Sequence, residues 1–242
     1  MFRLLQGAVV CLVLGSIPAN AGAVVDVQFL PSSGAVYIGA GAVVGMAGDV
    51  WNSLTTNDRL APITLVDSAG NPTTDQMTWS VQYMVSHLPN SGFDSTIYQN
   101  LMDNYLAVVS NEPASTITLT GLAAGNYDLY IYTQGDYASA GRMLTVGVSG
   151  LSSETSSSTV ATASTFIEGQ NYLLFTPTVS SGGTLTMTLS NPAGSNEADM
   201  NGFQLVEVAP SSAPEPSSLG MTTFGVLGGL FALRRRRISV RR

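Results

Sequence analysis

The chain has 242 residues, of which 45% are hydrophobic and only 10% are charged, a balance that excludes a wholly disordered protein. It contains no lysine, and between residues 22 and 213 fifteen acidic residues face only Arg59 and Arg142, a net charge of −13. Such a surface repels a phosphate backbone, which argues against nucleic-acid binding. It could attract cations or simply keep the protein soluble. Scarce charge with abundant Gly, Ser and Thr favours an exported all-β protein.

Residues 1–21 have the pattern of a secretory signal peptide. Arg3 precedes an apolar run over residues 4–17, and the small residues Ala19 and Ala21 fit a cleavage site after Ala21. We therefore expect processing by signal peptidase and export across the inner membrane, the alternative being an uncleaved anchor. The only cysteine, Cys11, lies in this segment, so the mature chain has no disulfide and no thiolate metal site.

Residues 209–242 divide into a linker, an apolar segment and a basic tail. The linker spans residues 209–218, the apolar segment 219–233 and the tail 234–242. Fifteen residues at helical rise extend about 22 Å, a little less than the hydrocarbon core of about 30 Å. We predict one transmembrane helix with its basic tail in the cytoplasm. The arginine cluster of that tail comprises Arg234, Arg235, Arg236 and Arg237.

The linker contains Pro214, Glu215 and Pro216 immediately before the apolar segment and the arginine cluster. These three parts, in this order, resemble the PEP-CTERM sorting signal. The resemblance implies recognition by exosortase, a membrane transpeptidase-like enzyme, with cleavage near the Pro-Glu-Pro motif. The protein would then be anchored transiently and delivered to the outer cell surface or the extracellular matrix. An ordinary tail anchor is the alternative.

The body of the chain, residues 22–208, alternates short β-branched or aromatic runs with turn-forming residues, which predicts one antiparallel, jelly-roll-like β-sandwich. The residues from Ser95 to Leu106 instead place apolar side chains four apart, and they predict a short helix across one end of the sandwich. The nine predicted strands are residues 23–30, 62–66, 77–85, 116–119, 127–133, 142–148, 171–179, 184–189 and 202–208.

Two passages, residues 45–52 and 119–130, resemble jelly-roll ectodomains of the galactose-binding type, a fold used widely for sugar attachment. The second passage also has a simple physical interpretation, because Gly125 and Asn126 favour a tight turn from which Tyr127 enters a strand.

Signatures of catalysis are scarce. The only histidine, His87, lies in no motif, and the chain has no Gly-x-Ser-x-Gly elbow. Without lysine, a phosphate-binding Walker loop, a Schiff base and a Ser-Lys dyad are excluded, and too few His and Cys remain for zinc. A pair of carboxylates, as in glycosidases, is the catalytic arrangement that the composition leaves open.

Sugar binding requires an exposed aromatic ring flanked by polar side chains. The first candidate group is Asp49, Trp51 and Asn52, and the second is Tyr132, Gln134, Asp136 and Tyr137. Burial of these rings in the core is the alternative.

Calcium is the metal for which the chain has suitable oxygen ligands, and the candidates are Asn196, Glu197 and Asp199, which Asp26 or Asp49 could join. The alternative is that these acidic residues are simply exposed to solvent and bind no metal.

These features predict an exported, non-catalytic surface or extracellular-matrix protein that associates with exopolysaccharide. The first rival is an extracellular polysaccharide hydrolase, which needs two carboxylates lining one cleft. A second rival is an ice-contacting surface, for which the alternating Thr184, Thr186 and Thr188 provide only one row.

Overall fold

The computed structural model describes residues 24–39, 41–81, 83–86, 92–109, 113–134, 142–157, 163–180, 182–192 and 197–209. These residues form fifteen β-strands and one short helix, together with a single 3-10 turn at Asp58–Leu60. The strands and the helix α1 are, in chain order, β1 Val24–Phe29, β2 Trp51–Leu54, β3 Ile63–Val66, β4 Pro72–Trp79, β5 Tyr83–Ser86, α1 Gln99–Met102, β6 Asn104–Val109, β7 Ser115–Leu122, β8 Gly125–Tyr132, β9 Thr145–Val148, β10 Glu154–Thr155, β11 Tyr172–Phe175, β12 Thr178–Val179, β13 Gly183–Ser190, β14 Glu197–Met200 and β15 Gly202–Val208.

The strands form three sheets. The first has the order β11-β8-β15-β1-β2, with β12 also paired to β8, and the second has the order β10-β9-β13-β7-β4-β3. A small third sheet has the order β14-β6-β5. The described strand pairs are antiparallel except for β1 and β2, which run parallel. The prediction of an all-β sandwich with one short helix is confirmed.

The core lies between the first and second sheets, because each contributes alternate apolar side chains to it. In β13, Leu185, Met187 and Leu189 are buried while the intervening threonines are not. Strands β1 and β8 of the first sheet contribute inward side chains to the same hydrophobic cluster, among them Val27 and Leu129. Each such aliphatic side chain removed from water stabilises the fold by roughly 1.5–3 kcal/mol.

The helix is much shorter than predicted. Only one turn, Gln99–Met102, is helical, and residues 104–109 form the strand β6. Strand β6 lies between β14 and β5, with Ala107 opposite both Asp199 and Tyr83. The run from Asn104 to Val108 is buried without interruption, so pairing on both edges overrides the helical spacing of the apolar residues.

The segment predicted as one strand over residues 77–85 also divides. Strand β4 ends at Trp79 in the second sheet, whereas β5 begins at Tyr83 in the third. The chain therefore changes sheet between these two strands.

The predictions for the chain ends lie outside the described residues, as does His87. This holds for the signal peptide, residues 1–21, and for everything beyond Ala209, including the Pro-Glu-Pro motif and the apolar segment. Within the part of the chain that the structure describes, no helix has the length and apolar character needed to span a membrane.

Candidate functional site

The outer face of the first sheet, turned away from the core, carries polar and aromatic side chains in ordered rows. Directly paired residues on neighbouring strands point to the same face, so the strand register fixes each row. One row consists of Leu174, Tyr130, Gln204, Asp26 and Trp51, and the next of Tyr172, Tyr132, Gly202, Gln28 and Ser53.

Part of this face is covered by the connection between β1 and β2. We call the described residues of this connection, 30–39 and 41–50, the cover segment. The backbone N–H of Tyr37 donates to Gln28 Oε1 at 2.9 Å, and Gln28 Nε2 donates to the Tyr37 carbonyl at 3.3 Å. Similarly, Gln204 Nε2 donates to the Val44 carbonyl at 3.1 Å. Buried amide side chains of the sheet thus form hydrogen bonds with backbone groups of the cover segment.

Asp26 lies fully buried in this row, where Gln204 Nε2 donates to its Oδ1 at 2.6 Å. Burial raises the pKa of Asp26 from 3.8 to about 7, with the hydrogen bond from Gln204 opposing the change and the charge of Asp49 adding to it. The second oxygen, Oδ2, has no hydrogen-bond partner among the described residues. The ionised carboxylate is therefore poorly compensated.

The first predicted sugar-binding group does not present an exposed ring. Trp51 is only 7% exposed and packs edge-on against Tyr37, with ring centroids 5.1 Å apart. Asn52 donates to the Asp26 and Val66 carbonyls and accepts from the Val66 N–H, each at 2.9 Å, so its amide ties strands together. Asp49 remains partly exposed, and its Oδ2 accepts from the Met46 N–H at 2.7 Å.

In the second predicted group, the one ring that the structure describes is not available for stacking on a sugar. Tyr132 is fully buried, and its hydroxyl contacts Gln204 Oε1 and accepts from the Val43 N–H at 3.0 Å. Gln134 is also buried. The remaining members, Asp136 and Tyr137, lie outside the described residues.

The carboxylates proposed for calcium are instead paired with an arginine. Arg142 forms ion pairs with Glu197 and with Asp199, the latter at 3.7 Å, and the Tyr105 hydroxyl donates to Glu197 at 3.3 Å. The guanidinium thus supplies the positive charge that a cation would bring. Among the described residues, no three His, Cys, Asp or Glu side chains cluster as metal ligands do, and Asn196 lies outside them.

A cleft of about 550 Å³ lies between two stretches of the cover segment, beside the start of β2. Its lining, residues 36–39 and 47–51, is largely apolar, and Ile38 at its edge is 90% exposed. Asp49 is the carboxylate in this lining, whereas Asp26 is fully buried and does not contribute to it. Among the described residues, the cleft is therefore lined by one carboxylate and not by the two facing carboxylates that a glycosidase needs.

Beside the cover segment, the outer face keeps a partly exposed group that we call the tyrosine patch. It consists of Tyr130, Tyr172, Leu174 and Val206, flanked by Asp128 and Glu168. The rings of Tyr130 and Tyr172 have centroids 6.2 Å apart and planes inclined by 38°. The Tyr172 hydroxyl donates to Glu168 Oε2 at 3.5 Å.

Acidic neighbours give the tyrosine patch a negative electrostatic character. Burial raises the pKa of Tyr130, and the charges of Asp128 and Glu168 add to the effect. Burial and Glu168 likewise raise the pKa of Tyr172. Both phenols therefore stay neutral at physiological pH, beside acceptors suited to the hydroxyls of a sugar.

This pair of tyrosines was not among the residues predicted from the sequence to bind sugar. A signal was present in β8, because the period of two along Asp128, Tyr130 and Tyr132 puts all three on one face. What the local pattern lacks is the partner strand, since Tyr172 lies forty-two positions beyond Tyr130. Only the pairing of β11 with β8 brings the two rings together.

Comparison with known proteins gives neither a matching family model nor a matching curated relative. Solved structures with partial similarity include a Bacillus subtilis structural-genomics target, at 11% identity and TM-score 0.45, with 77% of this chain and 40% of that chain covered. A family 35 carbohydrate-binding module from Clostridium thermocellum matches at 15% identity and TM-score 0.33, covering 61% of this chain and 99% of its own.

An exo-β-1,3-galactanase from Phanerochaete chrysosporium, solved with β-1,3-galactotriose, matches at 16% identity and TM-score 0.32, covering 57% of this chain and 31% of that chain. The present chain thus spans less than half the length of the first of these proteins and about a third of the galactanase.

Proposed function

We propose that this protein is an exported, non-catalytic surface or matrix protein that binds extracellular polysaccharide through the tyrosine patch. The observation that carries the proposal is the pair of partly exposed rings, Tyr130 and Tyr172, flanked by carboxylates. Pyranose rings stack on aromatic faces, and their hydroxyls donate to carboxylate oxygens.

The position of the two tyrosines favours binding because the sheet holds them in place. Tyr130 lies in β8, which pairs with both β15 and β11, and Tyr172 begins β11. Side chains held on paired strands lose little further freedom when a ligand binds. Export and delivery remain those that the signal peptide and the PEP-CTERM-like tail predict.

The rival function, polysaccharide hydrolysis, would need a pair of carboxylates on one cleft. Asp49 lines the cleft beside β2, and Asp26, whose pKa the charge of Asp49 helps to raise, is fully buried. This arrangement supports binding over hydrolysis. A release of reducing ends from a bound polysaccharide would favour the hydrolase instead.

The proposal can be tested by affinity electrophoresis of the full chain through gels that contain soluble polysaccharide. The detergent in these gels carries no sugar group. We expect retardation in at least one polysaccharide, and we expect the Tyr130→Ala and Tyr172→Ala variants each to weaken it about tenfold, since each loses a stacking surface.

Tyr83→Ala is the matched control. Tyr83 is a tyrosine 51% exposed on β5, in the third sheet and away from the patch. Equal weakening by all three substitutions would show that the patch is not the binding surface.

A further inference from the structure

We infer that the tyrosine patch accepts a single, uncharged glycan chain and discriminates against crystalline polysaccharide surfaces and polyuronates. The inference rests on the proposed function and adds the class of ligand. It follows from the angle between the two rings, from the wall beside them and from the distribution of charge.

The two rings cannot both lie against one plane. Their planes are inclined by 38°, and a sugar stacks with its ring roughly parallel to the aromatic face. A crystalline surface presents its sugars in one plane, so it can stack on only one of the two tyrosines. A separate chain can rotate about its glycosidic bonds between consecutive sugars and thereby contact both rings.

The cover segment adds a wall on one side of the patch. Tyr130 is paired with Gln204, whose side chain hydrogen-bonds the Val44 backbone above the sheet. The neighbouring Tyr132 hydroxyl accepts from the Val43 N–H. The covered part of the face therefore begins directly beside Tyr130. A strip bounded by a wall can accommodate a single glycan chain more readily than it can accommodate the extended flat surface of a crystal.

The charges around the patch oppose anionic ligands. Glu168 Oε2 accepts a hydrogen bond from the Tyr172 hydroxyl, and Asp128 precedes Tyr130 by two residues on the same face of β8. The chain has no lysine, and Arg142, one of the two arginines of the body, is paired with Glu197 and Asp199. A carboxylate about 4 Å from a like charge is disfavoured by roughly 1 kcal/mol in water, about fivefold in affinity.

Three celluloses with one backbone test the inference: hydroxyethyl cellulose is soluble and neutral, carboxymethyl cellulose is soluble and anionic, and microcrystalline cellulose is solid. Soluble galactan and glucomannan accompany them as further neutral chains, and alginate as a second polyanion. We expect the full chain to bind at least one neutral soluble chain at least fivefold more tightly than either polyanion. We expect no retention on the solid.

The double variant Asp128→Asn with Glu168→Gln should reduce the preference for neutral over anionic chains at least threefold. The control, Asp67→Asn with Glu154→Gln, removes the same charge away from the patch and should leave that ratio unchanged. An equal response to both variants would assign the preference to the net charge of the molecule and overturn the local site.

The outcomes separate the two proposals. Tyr130-dependent binding to microcrystalline cellulose or alginate, as tight as to any neutral chain, would overturn this inference and leave the proposed function standing. Binding to none of the six polysaccharides would overturn both. The variant Tyr130→Phe with Tyr172→Phe keeps both ring faces and should retain at least half of the neutral-chain affinity, whereas a loss as large as with alanine would reject stacking.

Discussion

At the scale of single residues, Asp26 couples the stability of the first sheet to pH. Its pKa is about 7 in the fold against 3.8 in the unfolded chain, so the folded state holds a proton that the unfolded state releases. The contribution of Asp26 to the free energy of unfolding should therefore fall as the pH rises from about 4 to about 7, and it should level off above the folded pKa.

Asp26→Asn removes this dependence, because the amide stays neutral and retains an oxygen for the hydrogen bond from Gln204. We expect the variant to gain up to about 4 kcal/mol at pH 8 and little at pH 4, as the shift in pKa implies. Urea unfolding of both proteins from pH 4 to 8 measures the difference.

Asp67→Asn is the control with the opposite sign. Hydrogen bonds from Asn71 hold the pKa of Asp67 below its usual value, so this carboxylate favours folding above pH 4 and loses that contribution as the pH falls. Its substitution should lower stability slightly at neutral pH. An Asp26 variant that behaved in the same way would contradict the burial argument.

At the scale of elements, the passage from β7 to β8 depends on one glycine. The two strands belong to different sheets, so the Gly-Leu-x-x-Gly-x-Tyr passage carries the chain across the sandwich and does not form the hairpin turn that its residues suggest. Gly121 has φ +82°, and an added Cβ would meet the Thr74 carbonyl oxygen too closely for any real contact. The Tyr127 hydroxyl donates to the Ala123 carbonyl at 3.0 Å and so links β8 to the connection that precedes it.

Gly121→Ala should therefore cost about 3 kcal/mol or more, since left-handed strain of about 1 kcal/mol adds to the displacement of a strand backbone. Gly150→Ala is the matched control, because Gly150 has the same φ of +82° with open space around it, and only the strain should remain. Thermal unfolding of the two variants measures the difference, and equal losses would show that the contact with Thr74 is relieved at no cost.

The strands also differ in how well their local sequence patterns predict them. Residues 184–189 alternate regularly between threonine and apolar residues, and they form the middle of β13. The pattern is regular because one face of this strand is buried and the other faces water. By contrast, β6 is buried along most of its length and its apolar spacing resembles a helix, so its neighbours determine its conformation. Strand β2, which contains Trp51, escaped prediction for a related reason: it pairs with β1 in parallel across a long connection.

The candidate site was predictable only in its chemistry. Aromatic rings beside carboxylates were the pattern sought in the sequence, but Trp51 and Tyr132 are covered by a segment whose position no local pattern reveals. Tyr130 and Tyr172 remain accessible because they lie beyond the edge of that cover segment. The distinction between buried and accessible rings on one sheet face is a property of the tertiary fold.

At the scale of the whole molecule, the anionic body and the apolar termini favour different surroundings, and the Pro-Glu-Pro motif lies between them. If this motif is the processing signal, replacing Pro214, Glu215 and Pro216 by alanine blocks cleavage while leaving the apolar segment and its arginines unchanged. We expect the full-length form to accumulate in the inner membrane, and the released form to decrease at least tenfold, by immunoblot of cell fractions.

Replacing Ser211 and Ser212 by alanine preserves the linker length and provides the control, which should be processed normally. Release of the triple-alanine variant at the normal rate would show that the motif is not a sorting signal and would leave an ordinary tail anchor. The proposal that the tyrosine patch binds polysaccharide would be unaffected by that result, because the residues of the patch all lie in the body of the chain.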